Sequence, residues 1–479
     1  MKISKNLDSS LDKIKDTLSS SDVEFCNIRI NKTSACLIFI KDIVDKQLIG
    51  ELIIKPLHTY KKEINFNQLF SLFLNPEKQK ILDLNEVITA VVAGKTLLLI
   101  DGLDCAIAFD VLKFEKRSIQ EPPTSTVIKG PREGFVESLN VNVSMIRRRL
   151  KTPALTFENF TIGRYSKTTV CLCYVKGISQ KDLVKKLREK LKKIKIDALL
   201  DSSYISKEIA DSKSSLFKQL GNTEKPDILV SKILEGRVAI IVDGSPIVLT
   251  APYLLLEDFQ SASDYYTSSY SATLSRMVRI FSVIISIFLP AMFVSAELFH
   301  VQLIPLSFLL TIVNSVKGIP LSPSYEMFFT LVIFETLNEA SVRMPKYVGM
   351  VVSIVGGLVL GETAINAGII SAPTLMIIAF SGVCLFTVPE LEHTFSILRL
   401  IFLIIGGSIG GFGLIIASVF MVIYLVSYES FDIPILAPFV PLVPSDLKDS
   451  FYKSFLADSS YRPLSLHPKN KKRIKENSK

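Results

Sequence analysis

Glu335, Glu339 and Arg343 stand at i, i+4 and i+8 in a run otherwise rich in Phe, Leu, Val and Ile. On a helix that spacing lines up all three side chains and places Glu339 to pair with Arg343. Further on, in LNEASVRMPKYVGMVVSIVGGLVLGETAINAGIISAP (337–373), Glu362 falls inside an apolar stretch at 348–370. That stretch is long enough to cross a bilayer, which takes about 20 helical residues. Charged groups at that depth are costly, so they face protein or a water-filled path. The chemistry on offer is therefore electrostatic: a structural ion pair that specifies packing, or contact with a passing ion. Val355, Val359 and Glu362 are the candidates for a constriction or an ion contact. Gly349, Ser353, Gly357 and Gly361 recur every four residues, a small-residue stripe that lets a second helix come close.

Catalytic chemistry has little to work with. The six cysteines form no C-x-x-C pair and the four histidines have no clustered partners, so neither a metal site nor a disulfide framework is expected. GGSIGGFG (406–413) lacks the lysine of a phosphate loop and lies in an apolar run, which points to close helix packing. Asp101-Gly102 and Asp243-Gly244 are read as tight turns between strands rather than as paired catalytic carboxylates. No nucleophile with its base stands out, and neither catalytic residues nor cofactors are expected.

The elements that must position these residues differ along the 479-residue chain, whose mean hydropathy is +0.38 and formal net charge +9. Residues 276–444 carry only six Lys or Arg and nine Asp or Glu, so the polar composition sits before and after them. Met1 to Ser21 lacks an apolar h-region, which places the N-terminal part on the cytoplasmic side. ACLIFIKDIVDKQLI from Ala35 returns as VCLCYVKGISQKDLV from Val170, and VVAGKTLLLIDG (91–102) returns as ILEGRVAIIVDG (233–244). The same order at nearly the same offset indicates a tandem duplication. The expected fold is α/β plus membrane α-helical: two tandem α/β cytoplasmic subdomains, then a multi-span helical membrane domain. KDLVKKLREKLKKIKI (181–196) puts Leu183, Leu187, Leu191 and Ile194 on one face, so its lysines are the solvated side of a packed helix rather than a nucleic-acid grip. Arg147, Arg148 and Arg149 point in different directions and suit interdomain ion pairs or lipid head groups.

The expected divisions are a polar lead-in at 1–22, a first α/β subdomain at 23–129, an interdomain linker helix region at 130–165 and a second α/β subdomain at 166–258. A juxtamembrane helix at 259–279 leads into a membrane domain of five or six apolar segments at 280–428, followed by a Pro-containing segment and basic tail at 429–479. The segments run at 280–299, at 301–316, which is either a span or re-entrant, at 326–343, at 348–370, at 371–389, and last within 397–427. Lys469, Lys471, Lys472, Arg473 and Lys475 argue for a cytoplasmic tail, whereas Arg343 and Lys346 would then face outward.

GPREGFVESLNVN with its IRRRLK continuation, KPDILVSKILEGRVAIIVDGSP, LNEASVRMP and the glycine-rich helix with its AGIISAP end resemble, in that order, the A subunit of the spore germinant receptors, the GerA family. The resemblance spans roughly residues 25–445. It implies a multi-pass protein of the spore inner membrane that works with a transporter-like B subunit and a lipoprotein C subunit in nutrient sensing. It also implies a homo-oligomeric ring around an ion path; from the charge distribution, no nucleic-acid partner is expected. A secondary transporter or a non-conducting membrane scaffold for a nutrient-binding partner is the alternative. A transporter would carry inverted repeats after residue 276, and none is evident.

Overall fold

The computed structural model describes residues 2–31, 33–60, 65–75, 77–113, 130–345, 357, 359–454 and 460–473. It divides into two units: Met1–Tyr253 with Ser430–Ile433 and Ala457–Lys479, and Leu254–Glu429 with Pro434–Leu456.

The first unit holds two five-stranded sheets. One is built from α1 (Leu7–Thr17), β1 (Val23–Ile30), β2 (Thr33–Ile40), β3 (Gln79–Ile81), α2 (Leu84–Val92), β4 (Thr96–Ile100) and β5 (Ala106–Phe109). The other uses α3 (Leu139–Arg149), β6 (Leu155–Ile162), β7 (Thr168–Val175), α4 (Lys181–Lys193), β8 (Gly221–Thr223), α5 (Pro226–Leu234), β9 (Val238–Val242) and β10 (Val248–Ala251). Strand order is β1-β2-β4-β5-β3 in one and β6-β7-β9-β10-β8 in the other, the same path traced twice. Every strand pairing within the two sheets is antiparallel, with Ala35 opposite Ile100 and Val170 opposite Val242 at matched places. The α/β expectation therefore takes an antiparallel form.

Residues 1–22, expected as a polar lead-in, supply α1. Leu7, Leu11, Ile14 and Leu18 are buried against Val87 and Val91 of α2 and the first sheet. Burying such side chains is worth about 1.5–3 kcal/mol each. The two Asp-Gly pairs behave alike: Gly102 and Gly244 adopt φ of +84° and +89°, where glycine is favoured. Each preceding aspartate also grips the helix that opens its own copy. Asp101 Oδ1 accepts from the Leu7 amide and Asp243 Oδ1 from the Leu139 amide, both at 3.1 Å.

Residues 130–165 are no free linker either. Val143 and Ile146 of α3 pack with Phe157 and Ile241 in the core of the second sheet. Arg147 is buried and joins the copies: its guanidinium donates to Asp22 at 2.8–3.0 Å, while Arg148 and Arg149 both reach Glu133. In α4, Leu183, Val184, Leu187 and Leu191 are buried, and Lys181, Lys185, Lys192 and Lys193 are exposed.

The second unit is helical: α6 (Ser269–Phe299), α7 (Leu306–Val316), α8 (Pro323–Arg343), α9 (Ala372–Leu385), α10 (Glu392–Ser408) and α11 (Gly411–Ser427). Ser269–Phe299 and Pro389–Ser408 are long and apolar enough to cross a membrane; α7, α9 and α11 are apolar but shorter. The final segment expected within 397–427 is two helices, because Gly410 takes φ +78° and ends the first. The glycines before it mark close packing: a Cβ on Gly406 would lie 2.7 Å from the carbonyl oxygen of Ala291 in α6. Phe293, Val294, Met327, Leu331, Ile377 and Leu403 form the core where α6, α8, α9 and α10 meet.

Candidate functional site

The helix α8 is continuous through Arg343, so Glu335, Glu339 and Arg343 do occupy successive turns. Glu335 takes a different partner from the other two. Glu339 and Arg343 pair at 2.5 Å with both side chains largely exposed. Glu335 instead pairs at 2.5 Å with Arg399 of α10, whose side chain is fully buried. The distance in sequence hid this partner, since helical spacing reveals only neighbours on the same helix.

Arg399 is held on several sides. One terminal nitrogen donates to Glu335 Oε1 and the other to Ser381 Oγ of α9 at 3.0 Å, and the guanidinium carbon sits 5.5 Å from the Phe334 ring centroid. Ser396 Oγ donates to the same Glu335 oxygen at 2.7 Å. One turn on, Asn338 donates to Glu392 Oε1 at 2.7 Å. Three apolar helices are thus stitched together by one carboxylate, one guanidinium and two hydroxyls. In apolar surroundings such charge-assisted bonds are strong, and losing one partner strands the other. Glu335, Glu339, Arg343, Thr336 and Ser396 border a cleft of about 580 Å³ between α8 and α10.

A second carboxylate lies at the other end of α8. Glu326 is buried, and its Oε1 accepts from both the amide and the hydroxyl of Ser371, each at 2.7 Å. Ser371 is the N-cap of α9, so the SAP end of the glycine-rich motif is a helix start anchored by an acid.

At the foot of α6, Arg276 and Arg279 converge on Asp264 at 3.1 and 2.9 Å. Asp449 joins from the C-terminal segment, accepting from Arg276 at 3.4 Å and Lys453 at 3.1 Å. Burial pushes the Asp264 carboxyl up, but the hydrogen bond and charge of Arg279, with hydrogen bonds from the Ser261 amide and Arg276, outweigh it and hold the group below its ordinary value. The sequence placed the arginines at the start of a span; it gave no sign of Asp449.

Of the constriction candidates, Val359 and Glu362 are exposed, and Val355 lies outside the described residues. Of the small-residue stripe, Gly349 and Ser353 also lie outside them. Gly357 has open space where a Cβ would be, whereas one on Gly361 would come within 3.0 Å of Leu375. Among the described residues no three His, Cys, Asp or Glu side chains gather as metal ligands.

Residues 9–465 match the family described as Bacillus/Clostridium GerA spore germination protein. Spore germination protein KA of Bacillus subtilis is 36% identical over 473 residues, covering 96% of this chain and 86% of the relative. Spore germination protein GerLA of Bacillus cereus is 34% identical over 478 residues, covering 97% and 96%. The crystal structure of the N-terminal domain of the A subunit of the Bacillus megaterium spore germinant receptor GerK3 is 31% identical, with a TM-score of 0.42, covering 53% of this chain and 98% of that one. With a family match that runs through both α/β copies and the helical unit, the chain belongs to the GerA family of spore germination proteins.

Proposed function

We propose that the chain is the A subunit of a nutrient germinant receptor, a multi-pass protein of the spore inner membrane that helps trigger germination. It does so as one member of a homo-oligomeric, nutrient-gated ion channel, with a transporter-like B subunit and a lipoprotein C subunit as partners. The observation that carries the receptor role is near-full-length similarity to proteins named for spore germination. The channel reading draws support from the second unit. Ionised and hydroxylic side chains lie inside apolar helices, and Phe412, Ile415, Val419, Phe420 and Ile423 of α11 are exposed, as lipid contact requires.

In this reading α6 to α11 lie in the membrane, the α/β unit is cytoplasmic, and the segment carrying Val355, Val359 and Glu362 frames the ion path. Gly349, Ser353, Gly357 and Gly361 let neighbouring helices approach it. Nutrient bound on a partner opens the path by contacting the closed and open arrangements unequally, since equal binding shifts nothing. Glu335 and Arg399 hold α8, α9 and α10 as one block that moves together.

The test is ion flux in liposomes carrying the chain with its B and C partners, with and without nutrient. Nutrient-dependent flux that falls in Glu362→Gln and rises without nutrient in Val359→Ala is the expected result. Complexes of correct orientation that pass no ion under any nutrient sink the channel reading and leave a membrane scaffold. Uptake of the nutrient itself would identify a transporter.

A further inference from the structure

The two α/β copies are finished by different parts of the chain. Ile43 and Ile178 occupy the same place in the repeat, as do Gly94 and Gly236. In the first copy the residues just after β5 close this corner. The Lys113 amide donates to the Ile43 carbonyl at 2.8 Å, and a Cβ on Gly94 would meet Leu112 at 2.5 Å. In the second copy the residues after β10 lead away into the helical unit, and the corner is closed by residues from the far end of the sequence. There the Lys469 amide donates to the Ile178 carbonyl at 2.9 Å, and a Cβ on Gly236 would meet Pro468 at 3.3 Å. Leu112-Lys113 and Pro468-Lys469 fill equivalent slots.

The tail is held there by more than one bond. Gln180 Nε2 donates to the carbonyls of Leu466 and His467 at 3.2 and 2.8 Å. Arg462, almost buried, donates from Nε to the carbonyl of Leu234 at 2.7 Å, capping the last residue of α5 with a cation where the helix dipole favours one. Arg473 pairs with Glu235 at 3.3 Å. Tyr461 bridges to Lys472, so the tail arrives as a small folded hairpin.

We propose that the corner formed by Ile178, Gln180, Leu234 and Gly236 is a peptide-binding slot, and that its occupant is this chain's own C-terminal segment, residues 460–473, acting as a detachable latch. The first copy never needs such a partner because its own next residues fill the slot. The second copy depends on a segment that no neighbouring strand supplies, which makes this contact separable from the fold of the sheet.

The experiment uses the chain in detergent, cut back after Ser459, and a synthetic peptide of residues 460–473. The peptide is expected to bind the shortened chain one to one, to bind at least tenfold more weakly with Arg462→Ala, and not to bind the full-length chain, whose slot is taken. Failure of the peptide to bind a shortened chain that retains its circular dichroism overturns the proposal, as does equal binding to the full-length chain. A shortened chain that loses its fold is replaced by the full-length Glu235→Cys, Arg473→Cys double variant. A short bis-maleimide should then link the two cysteines within one chain, and either no link or one only between chains overturns the assignment.

Discussion

Charge pairs of similar length contribute very differently here, according to what surrounds them. Arg343 and Glu339 sit in the open, where an i,i+4 pair is worth about 0.3–0.5 kcal/mol. Arg399 is buried beneath three helices, so its loss would leave Glu335 without its counter-charge. Arg399→Met should therefore lower stability in detergent by about 3 kcal/mol, whereas Arg343→Ala should change it by under about 0.5 kcal/mol, as read by thermal unfolding. Equal effects would remove the distinction. In the first α/β copy Asp42 offers a test with pH. Burial, with the nearby Asp22 and Glu24, pushes its carboxyl up to about 6 against the pull of Lys46 and Lys41. A carboxyl raised above its unfolded value of about 3.9 favours the folded state while protonated, and that contribution is lost as pH rises from about 4 through 6. Asp42→Asn should then raise the unfolding temperature at pH 7.5 and have little effect at pH 4; a gain that persists at pH 4 would point to another cause.

At the scale of elements, repetition was legible and its outer parts were not. Two pairs of matched strings sufficed to find β2, β4, β7 and β9, because these buried strands are short apolar runs, with β4 and β9 closed by Asp-Gly. Helices α1 and α3 escaped that reading. Their apolar residues are interleaved with Asp, Lys, Ser and Asn, and their membership in the cores depends on carboxylates about a hundred residues away in Asp101 and Asp243. The Glu335 and Arg399 pair was hidden for the same reason, since a contact between helices leaves no spacing in the sequence. The glycines of 406–413 spell close packing in the sequence, and the structure adds the break at Gly410. At Gly406 the contact is with backbone, which cannot swing aside as a side chain can. Gly406→Ala should force α6 and α10 apart and cost about 1–3 kcal/mol, measurable as a lower unfolding temperature. An unchanged midpoint would show that the helices yield without penalty.

For the whole molecule, the first unit contains both the N-terminal part and residues 460–473, and it takes in Phe431 only a few residues after α11 ends. A chain whose two ends meet in one folded unit must cross a membrane an even number of times. Under the membrane reading proposed above, this favours the even count among the five or six segments expected from the sequence. Cysteines introduced at exposed Lys181 and Lys471 should accordingly react with an impermeant maleimide from the same side of sealed vesicles. Reaction from opposite sides would require an odd count and break the tail's place in the unit.

The borrowed closing segment of the second copy also sets an order in time. Ribosomes extend chains at about 5–20 residues per second, so the roughly 200 residues between the end of β10 and Arg462 take ~10–40 s to appear. The first copy has everything it needs early and can fold while translation continues. Its duplicate must wait, one corner open, until the last helix has been made and residues 460–473 have left the ribosome. A nascent chain stalled inside the helical unit would carry one finished half and one that still lacks its closing segment.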